Sequence, residues 1–448
     1  MVKCQIVLTQ SPIPYRLTCL LFNQSNNEQP IYHEKAVFMK IFLDLVQWRI
    51  TLLMGLCLSV MIASPAQADD ALVADDSLLS STFSKVRIGS EVKAVRITGG
   101  GNSIVIVDVK TGTTLYEIAP SNADLNISEM QYSITGRIAA VDRDRDGLAD
   151  HVYVADLGGQ IFRFDIYNGM TGRHLVKGGL LADFNGDTEA SNRRFYSGPD
   201  VTNIVTEGKS YFVIAIGSGF QYQPSNTAVQ DSFYLFKDKG VYIKDEQGHY
   251  TFPSTAIGHD DLFDVTAHQL TAHDIGELNT AQASLQLQLG WRIDLGGSGE
   301  KVLTVPIILN HQIFFTTYLP NSTDACQSLM NKHSGCDFSI GHARAYLVDL
   351  LTGNAVVDLN QDRQTTSIDR YTSLKQTGMV SKTEIVLNNL AKPMVCLGEQ
   401  CSVAVIEFDQ EGNEIPCSHE FACLTREIFG RFERIQPQSW TTEIERKP

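Results

Sequence analysis

Short apolar runs, some alternating with polar residues and some continuous, fill the chain from Val92 onward. They are rich in β-branched and aromatic residues and are separated by Gly, Asn, Asp and Ser, which is typical of β-strands joined by turns. The stretch from Asp264 to Leu289 is the best candidate for a helix or a long insertion. The clearest strands are SIVIVDV, HVYVADL, QIFRFDI, YFVIAIG, SFYLFKD, KVLTVPIIL, QIFFTTYL and ARAYLVDL. The pattern therefore predicts an all-β fold.

A strand–turn–strand motif recurs along the chain. VDVKTGTTLYEI begins at Val107 and VDLLTGNAVVDL at Val348, and FDIYNGMTGRHL at Phe164 is a looser copy. Such a hairpin cannot bury both faces alone and must stack on similar units, which favours a β-propeller; a β-sandwich is the alternative. Blades of about 40–50 residues would leave room for roughly six to eight, but only three or four are recognisable. We therefore predict a propeller that is incomplete in this chain or has atypical blades.

The N-terminal region has the features of a secretory signal. An apolar run from Ile50 to Ile62 follows basic residues and precedes the small-x-small sequence that ends at Ala68. The run is too short for a comfortable membrane span, and a signal anchor or a buried hydrophobic helix is the alternative. We predict an upstream extension and signal peptide within residues 1–68, with the signal itself at about 39–68, and a mature chain without a stable membrane span.

The remaining boundaries follow the motifs. We predict a short extended linker at 69–91, a propeller at 92–395, and a cysteine-containing tail at 396–448 that would close the last blade. The formal net charge is -15, with a pI near 5.2. A nucleic-acid-binding protein needs a basic face to meet phosphates, so this charge argues against nucleic acid as a partner. It suits a protein that meets cations.

Export would place the chain in an oxidising compartment, where an even number of cysteines favours disulfides. Six cysteines follow the predicted cleavage site. The short loops between them make this the simplest pairing: Cys326–Cys336, Cys396–Cys401 and Cys417–Cys423. A zinc site formed by the first of these pairs with His333 or His342 is the alternative, although neither a CxxC pair nor a regular histidine spacing supports it.

The sequence DRDRDGLAD crowds four aspartates into nine residues. Like charges this close destabilise one another, and a divalent cation reverses that effect. Carboxylates stand at positions one, three, five and nine, a glycine at six tolerates unusual backbone angles, and residue seven offers a carbonyl, as in the first nine positions of an EF-hand. All-oxygen ligation selects a hard ion, so we predict calcium. The predicted ligands are Asp142, Asp144, Asp146, Leu148 through its carbonyl, and Asp150.

The loop departs from an EF-hand in two respects. Position twelve is Tyr153 rather than a bidentate glutamate, and the flanking segments have the pattern of strands. Water or a neighbouring carbonyl would then complete the coordination, and an acidic hairpin turn without metal is the alternative. The segment from Asp183 to Glu189, DFNGDTE, is a weaker echo of the spacing, for which a tight turn at Asn185 is the preferred interpretation.

In combination, several segments resemble the PilC/PilY family of type IV pilus assembly factors and tip adhesins. The resemblance covers about Ile97 to Asp358, with a fainter match to the tail that ends at Trp440. The segments that carry it are DRDRDGLADHVYVADLGGQIFRFDI, NRRFYSGPDV, IAIGSGFQYQPSNTAVQDSFYLFKD, GWRIDLGGSGEKVLTVPIILNHQIFFTTYLP and ARAYLVDLLTGNAVVD. Family members carry a long N-terminal region, whereas here a signal-like segment leads almost directly into the propeller motifs, as expected of a truncated or split relative.

The resemblance implies a C-terminal β-propeller-like domain, exported to the cell surface, the pilus, the outer membrane or the periplasm. It implies calcium binding through the five loop residues and a role in pilus biogenesis, in the balance of extension and retraction, and in twitching motility. It also implies attachment to host or abiotic surfaces. The partners would be the type IV pilus machinery, including minor pilins.

Signals for catalysis are weak. The glycine-rich segments TGGGNS and GSGF lack the spacing of nucleotide-binding loops, and the sequence has no G-x-S-x-G elbow. His259, with Asp260, Asp261 and Asp264 nearby, could form an acid/base or metal cluster, but solvated loop charge is the preferred interpretation. We therefore predict a non-enzymatic protein.

Two other functions stay open. D-x-x-T-G turns also occur in quinoprotein-type dehydrogenases, but those propellers carry tryptophan in most blades. Here only Trp291 and Trp440 lie in the expected mature chain. A surface lectin or adhesin unrelated to pili is the second alternative.

Overall fold

The computed structural model describes residues 80–428 except 207, 268–284, 286, 321–340, 381–382, 388–392, 398–399, 410 and 412. Within these residues the protein forms 22 β-strands in five sheets and one α-helix. All eight segments singled out in the sequence coincide with strands. The predicted all-β class is therefore confirmed.

The first two sheets are built from consecutive strands. The first contains β1 (Ser81–Ile88), β2 (Glu91–Gly100), β3 (Ser103–Asp108), β4 (Thr114–Ala119) and β5 (Leu125–Asn126). The second contains β6 (Ala139–Val141), β7 (His151–Ala155), β8 (Gln160–Ile166) and β9 (Val176–Asp183). Neighbours pair antiparallel in sequence order, except that β5 is parallel to β4. Every residue of β7 is buried, because both of its faces are covered.

The third to fifth sheets continue this organisation. The third contains β10 (Asp200–Thr206), β11 (Lys209–Gly217), β12 (Ser232–Asp238), β13 (Phe263–Asp264) and β14 (Gly290–Asp294), with β14 between β12 and β13. The fourth contains β15 (Lys301–Val302), β16 (Ile307–Leu309), β17 (Gln312–Leu319), β18 (His342–Asp349) and β19 (Tyr371–Thr377). The fifth contains β20 (Thr383–Leu387), β21 (Pro393–Leu397) and β22 (Gln400–Val403). Helix α1 (Glu420–Arg426) contacts β18, β19 and β22, and the described residues include no helix long and apolar enough to cross a membrane.

Four clusters of buried apolar side chains lie between consecutive sheets. Alternate residues of β7 contribute to two of them, since Val152 and Val154 face the first sheet while Tyr153 faces the third. Each cluster contains side chains from two consecutive sheets, for example Ile97 and Val154, Tyr153 and Phe236, Trp291 and Phe315, and Leu347 and Val395. Small sheets stacked face to face are the arrangement of propeller blades. Among the described residues, no cluster joins the fifth sheet to the first, so this series is open.

The two D-x-x-T-G turns, after β3 and β18, share one hydrogen-bond pattern. Asp108 Oδ1 accepts from the backbone N–H groups two and three residues on, at 2.8 and 3.2 Å, and the N–H four residues on donates to its carbonyl at 2.8 Å. Asp349 repeats the pattern at 3.1, 2.9 and 2.9 Å. The looser copy of the motif, which begins at Phe164, differs because its Asp165 is fully buried and binds other side chains.

Two of the predicted boundaries can be located relative to the strands. The stretch predicted as a linker, 69–91, includes β1, which pairs with β2 along its whole length and buries Val86 in the first cluster. The predicted start of the tail at residue 396 falls inside β21, because β21 and β22 form one hairpin. The signal segment, residues 69–79, Trp440 and most of the helix candidate at 264–289 lie outside the described residues.

Two of the three predicted disulfides are confirmed. Cys396 bonds to Cys401, the residue opposite it in the β21–β22 hairpin. Cys417 bonds to Cys423 and so ties α1 to the segment before it. The third predicted pair and His333 lie within 321–340, outside the described residues.

Candidate metal centre

The aspartate-rich loop connects β6 to β7, and its own side chains shape it. Asp142 Oδ1 accepts hydrogen bonds from the backbone N–H groups of Arg145 (2.6 Å) and Asp146 (3.2 Å), and its Oδ2 accepts from Gly147 (2.8 Å). Asp144 Oδ1 and Asp146 Oδ1 each accept from the N–H two residues on, at 3.3 and 2.9 Å. Arg145 and Gly147 adopt φ angles of 65° and 85°. Glycine takes such angles without strain, which explains its place in the loop.

Three carboxylates converge in this loop. Asp142, Asp144 and Asp146 each offer an oxygen, and these oxygens all lie within 4.8 Å of one another. Protein oxygens bind calcium at about 2.3–2.6 Å, so two ligands of one ion stand at most about 5.2 Å apart. The three carboxylates therefore fit a common calcium ion. Arg143, between two of them, turns toward an aromatic ring, with its guanidinium 5.2 Å from the ring centre of Tyr250.

The other predicted ligands are placed differently. Asp150 is 8% exposed, its Oδ2 accepts from the backbone N–H of Arg143 at 2.8 Å, and it is not one of the three convergent carboxylates. Burial raises the pKa of Asp150; the hydrogen bond from Arg143 opposes this rise and the charge of Asp144 adds to it. The Leu148 side chain is a buried hydrocarbon, and the backbone carbonyl is the group that this residue offers as a ligand. Tyr153, at position twelve, donates its hydroxyl to Asp238 at 2.9 Å.

Residues outside the loop hold it against two other segments. Ala149, between the last two predicted ligands, donates its N–H to the Lys85 carbonyl of β1 at 2.8 Å. Its carbonyl accepts from Asn168 Nδ2 at 3.0 Å. Asn168 follows β8 and also binds β1, where its Oδ1 accepts from the Arg87 N–H at 2.8 Å. The loop is thus fixed to the first sheet as well as to its own.

A buried network of charged side chains, which sequence reasoning missed, lies on the other face of β7 and β8. Arg163 donates to Asp238 of β12 at 2.8 Å and to Asp165 at 3.1 Å. His151 Nδ1 lies 2.7 Å from Asp165, and Tyr153 donates to Asp238. All five residues are at most 3% exposed. Burial alone would lower the pKa of Arg163, but Asp165 and Asp238 raise it overall, so the network keeps a guanidinium charge between the second and third sheets.

A second loop after β18, residues 358–369, repeats the backbone form and was also missed. Asp358 accepts from the N–H groups four and five residues on, at 3.3 and 2.7 Å, and Asn360 from the one two residues on, at 2.9 Å. Positive φ angles occur three and five residues after Asp358, as they do after Asp142. The D-x-N-x-D spacing was the available signal. The corresponding positions of this loop are Asp358, Asn360 and Asp362, so the convergence of three carboxylates distinguishes the 142–150 loop as the candidate metal centre.

The remaining sequence candidates have local partners. Asp183 Oδ1 accepts from the Asn185 N–H at 3.0 Å, in keeping with the tight turn preferred from the sequence. His259 Nδ1 lies 3.1 Å from the Tyr234 hydroxyl, and its Nε2 lies 3.8 Å from Asp294. Among the described residues, neither segment belongs to a group of side chains close enough to share a metal ion.

Asp231 and His259 are expected to give the stability of the protein two opposing pH dependences. Burial raises the pKa of Asp231 to about 6, so its contribution is largest at low pH and is lost as the pH rises through 6. Burial, with Arg193 and Arg292, lowers the pKa of His259 to about 4, so its contribution is present above the unfolded value and is lost as the pH falls toward 4.

Asp231→Asn should therefore make the free energy of unfolding rise more steeply between pH 4.5 and 7 than in the wild type, by about 2–3 kcal/mol. His259→Gln should change the slope in the opposite sense. Urea unfolding at both pH values, in EDTA, measures the difference. Parallel pH profiles for the two variants would contradict the assignment.

Sequence relatives of the chain are pilus proteins. It is 26% identical over 247 residues to the type IV pilus biogenesis factor PilY1 homolog of Xylella fastidiosa, which covers 52% of this chain and 16% of that protein. It is 22% identical over 364 residues to PilY1 of Pseudomonas aeruginosa PAO1, which covers 68% of this chain and 29% of the relative. The chain is PilY1-like. The chain spans less than a third of the length of either curated relative. No protein-family model matches the chain.

The fold agrees with this relationship. The crystal structure of the P. aeruginosa PilY1 C-terminal domain matches with a TM-score of 0.50 and 15% identity, over 74% of this chain and 72% of that one. The predicted β-propeller class is therefore confirmed for this PilY1-like chain, with sheets that do not close in the described residues.

Proposed function

We propose that this PilY1-like chain is a calcium-binding type IV pilus biogenesis and adhesion factor that acts without catalysis. The convergence of the Asp142, Asp144 and Asp146 carboxylates is the observation that carries the calcium assignment. The names of the curated relatives support the pilus assignment. The chain would be exported to the cell surface or pilus. There it would work with the pilus machinery, including minor pilins, in extension–retraction balance, twitching motility and attachment to host or abiotic surfaces.

In this proposal the loop residues act by holding an ion rather than by chemistry. Bound calcium supplies positive charge that offsets the repulsion among the clustered carboxylates. Asp142, Asp144 and Asp146 provide oxygens from one turn, and the Leu148 carbonyl and Asp150 are further ligand candidates. Because the loop joins β6 to β7, ligation would stiffen that edge of the second sheet and stabilise the folded state by mass action.

Asp144→Asn should weaken calcium binding and so reduce the calcium-dependent stabilisation, because it removes one negative charge while its amide oxygen can still act as a ligand. At calcium concentrations about 100 times the Kd, the wild type should gain about 2.7 kcal/mol, seen as a melting temperature several degrees higher than in EDTA. The variant keeps the shape of Asp144 and an acceptor for the Asp146 N–H but lacks the charge. Differential scanning fluorimetry with and without calcium measures the effect.

Asp245→Asn is the matched control. Asp245 Oδ1 accepts from two backbone N–H groups in an exposed turn, at 2.9 and 2.7 Å, so it resembles a loop aspartate but stands in another segment. It should respond to calcium as the wild type does. A full calcium response in Asp144→Asn would contradict the assigned site, and no response in the wild type would contradict calcium binding.

The pilus role is tested in the source cells. Deletion of the gene should change the number of surface pili, twitching and attachment, and the wild-type gene should restore all three. In cells that carry the Asp144→Asn gene, pilus number should respond less to calcium than in cells that carry the wild-type gene. Loss of attachment with unchanged pilus number and twitching would favour the alternative of an adhesin unrelated to pili.

A further inference from the structure

One predicted ligand of the loop is oriented by a strand of another sheet. The peptide between Leu148 and Ala149 carries the predicted carbonyl ligand, and its N–H donates to the Lys85 carbonyl of β1 at 2.8 Å. In a trans peptide the C=O points opposite to the N–H, so this bond directs the Leu148 carbonyl away from Lys85. β1 therefore takes part in placing an oxygen that lies outside its own sheet.

The side chain of Asn168 forms a second connection between the loop and β1. Its Nδ2 donates to the Ala149 carbonyl at 3.0 Å, which fixes the peptide leading to Asp150, and its Oδ1 accepts from the Arg87 N–H of β1 at 2.8 Å. The next residue, Gly169, donates its N–H to the Arg87 carbonyl at 2.8 Å. One half-buried side chain thus connects β1 to the peptide that follows Ala149, while Lys85 of β1 binds the peptide that precedes it.

We propose that Asn168 is a positioning residue of the calcium site and that calcium binding is coupled to the docking of β1 on the second sheet. The inference rests on the proposed calcium function. Coupling between two equilibria is reciprocal: if docked β1 orders the loop for calcium, calcium must favour docking by the same factor. Occupancy of the loop would then set how firmly the first sheet is held to the second.

Asn168→Ala should raise the Kd for calcium about three- to tenfold, the effect of losing hydrogen bonds of ordinary strength. Titration calorimetry with calcium chloride on the purified chain measures it. Asn226→Ala is the control, because Asn226 Oδ1 accepts from a backbone N–H at 2.9 Å in an exposed turn of another segment; its Kd should match the wild type. If Asn168 only supports the fold, Asn168→Ala should lower the melting temperature in EDTA and leave the Kd for calcium unchanged.

The reciprocal effect is read in the wild type and needs no variant. Calcium should slow hydrogen exchange in residues 81–88, with the Arg87 amide as the direct reporter, and should leave β17 unchanged. Unchanged exchange at 81–88, together with a wild-type Kd in Asn168→Ala, would overturn this inference while calcium binding stands. Absence of any calcium heat in the wild type would overturn the proposed function and this inference together.

Discussion

Arg163→Met is expected to lower the free energy of unfolding by about 3–5 kcal/mol, because it leaves buried charges without their partner. Asp165 and Asp238 bind the guanidinium from the second and third sheets, and both are at most 3% exposed. Methionine has a similar length but has neither a positive charge nor a hydrogen-bond donor for these carboxylates. Urea unfolding of the purified chain in EDTA measures the loss without any contribution from calcium.

Arg426→Met is the control for this change. Arg426 lies 2.8 Å from Glu414 in a pair whose acidic side chain is 40% exposed. Partly exposed pairs contribute little, so this substitution should cost less than about 1 kcal/mol. Equal losses in the two variants would show that the buried network does not hold the two sheets together.

Trp291→Ala should also cost about 3–5 kcal/mol, as expected for a large side chain removed from a core. Trp291 is 1% exposed, packs 6.1 Å from the Phe233 ring centre, and donates its Nε1–H to the Leu350 carbonyl at 3.0 Å. A Cβ at Gly353, in the D-x-x-T-G turn of the fourth sheet, would lie 3.1 Å from the indole. The indole therefore fills the contact between the third sheet and that turn, and urea unfolding in EDTA measures its contribution.

Two further variants separate packing from hydrogen bonding at this contact. Trp291→Phe keeps much of the ring packing and loses the bond to Leu350, so it should cost less than the alanine variant. Leu351→Ala alters an exposed position in the same turn and should change stability by less than about 0.5 kcal/mol. If Trp291→Phe and Trp291→Ala are equally stable, packing does not dominate this contact.

The strands were predictable because apolar residues recur with the period of a sheet, whereas the contacts between sheets were not. In QIFRFDI, alternation places Arg163 and Asp165 on the face opposite Phe162 and Phe164. From the sequence alone, this polar face would be expected to contact solvent. In the structure the third sheet covers it, and Asp238 of that sheet binds Arg163. Similarly, STFSKVRI is too polar to be recognised as a strand, yet it pairs with β2 along its whole length in a hairpin.

The same limit applies to the candidate metal centre. The D-x-D-x-D spacing placed Asp142, Asp144 and Asp146 together, because residues two apart in a tight loop share a side. It did not show that Asp150, whose Oδ2 accepts from the backbone N–H of Arg143, stands outside this group. Spacing indicates which carboxylates can converge, but the path of the backbone decides which of them do. The support from β1 lies about 60 residues earlier in the chain, where no local pattern shows it.

The four apolar clusters each join one sheet to the next, like contacts in a stack. A tensile load applied across the stack would pass through every interface in turn, and the weakest would part first while the others stayed closed. The molecule would then lengthen in steps, one interface at a time. A protein built in this way can yield under a pull without losing its whole structure at once.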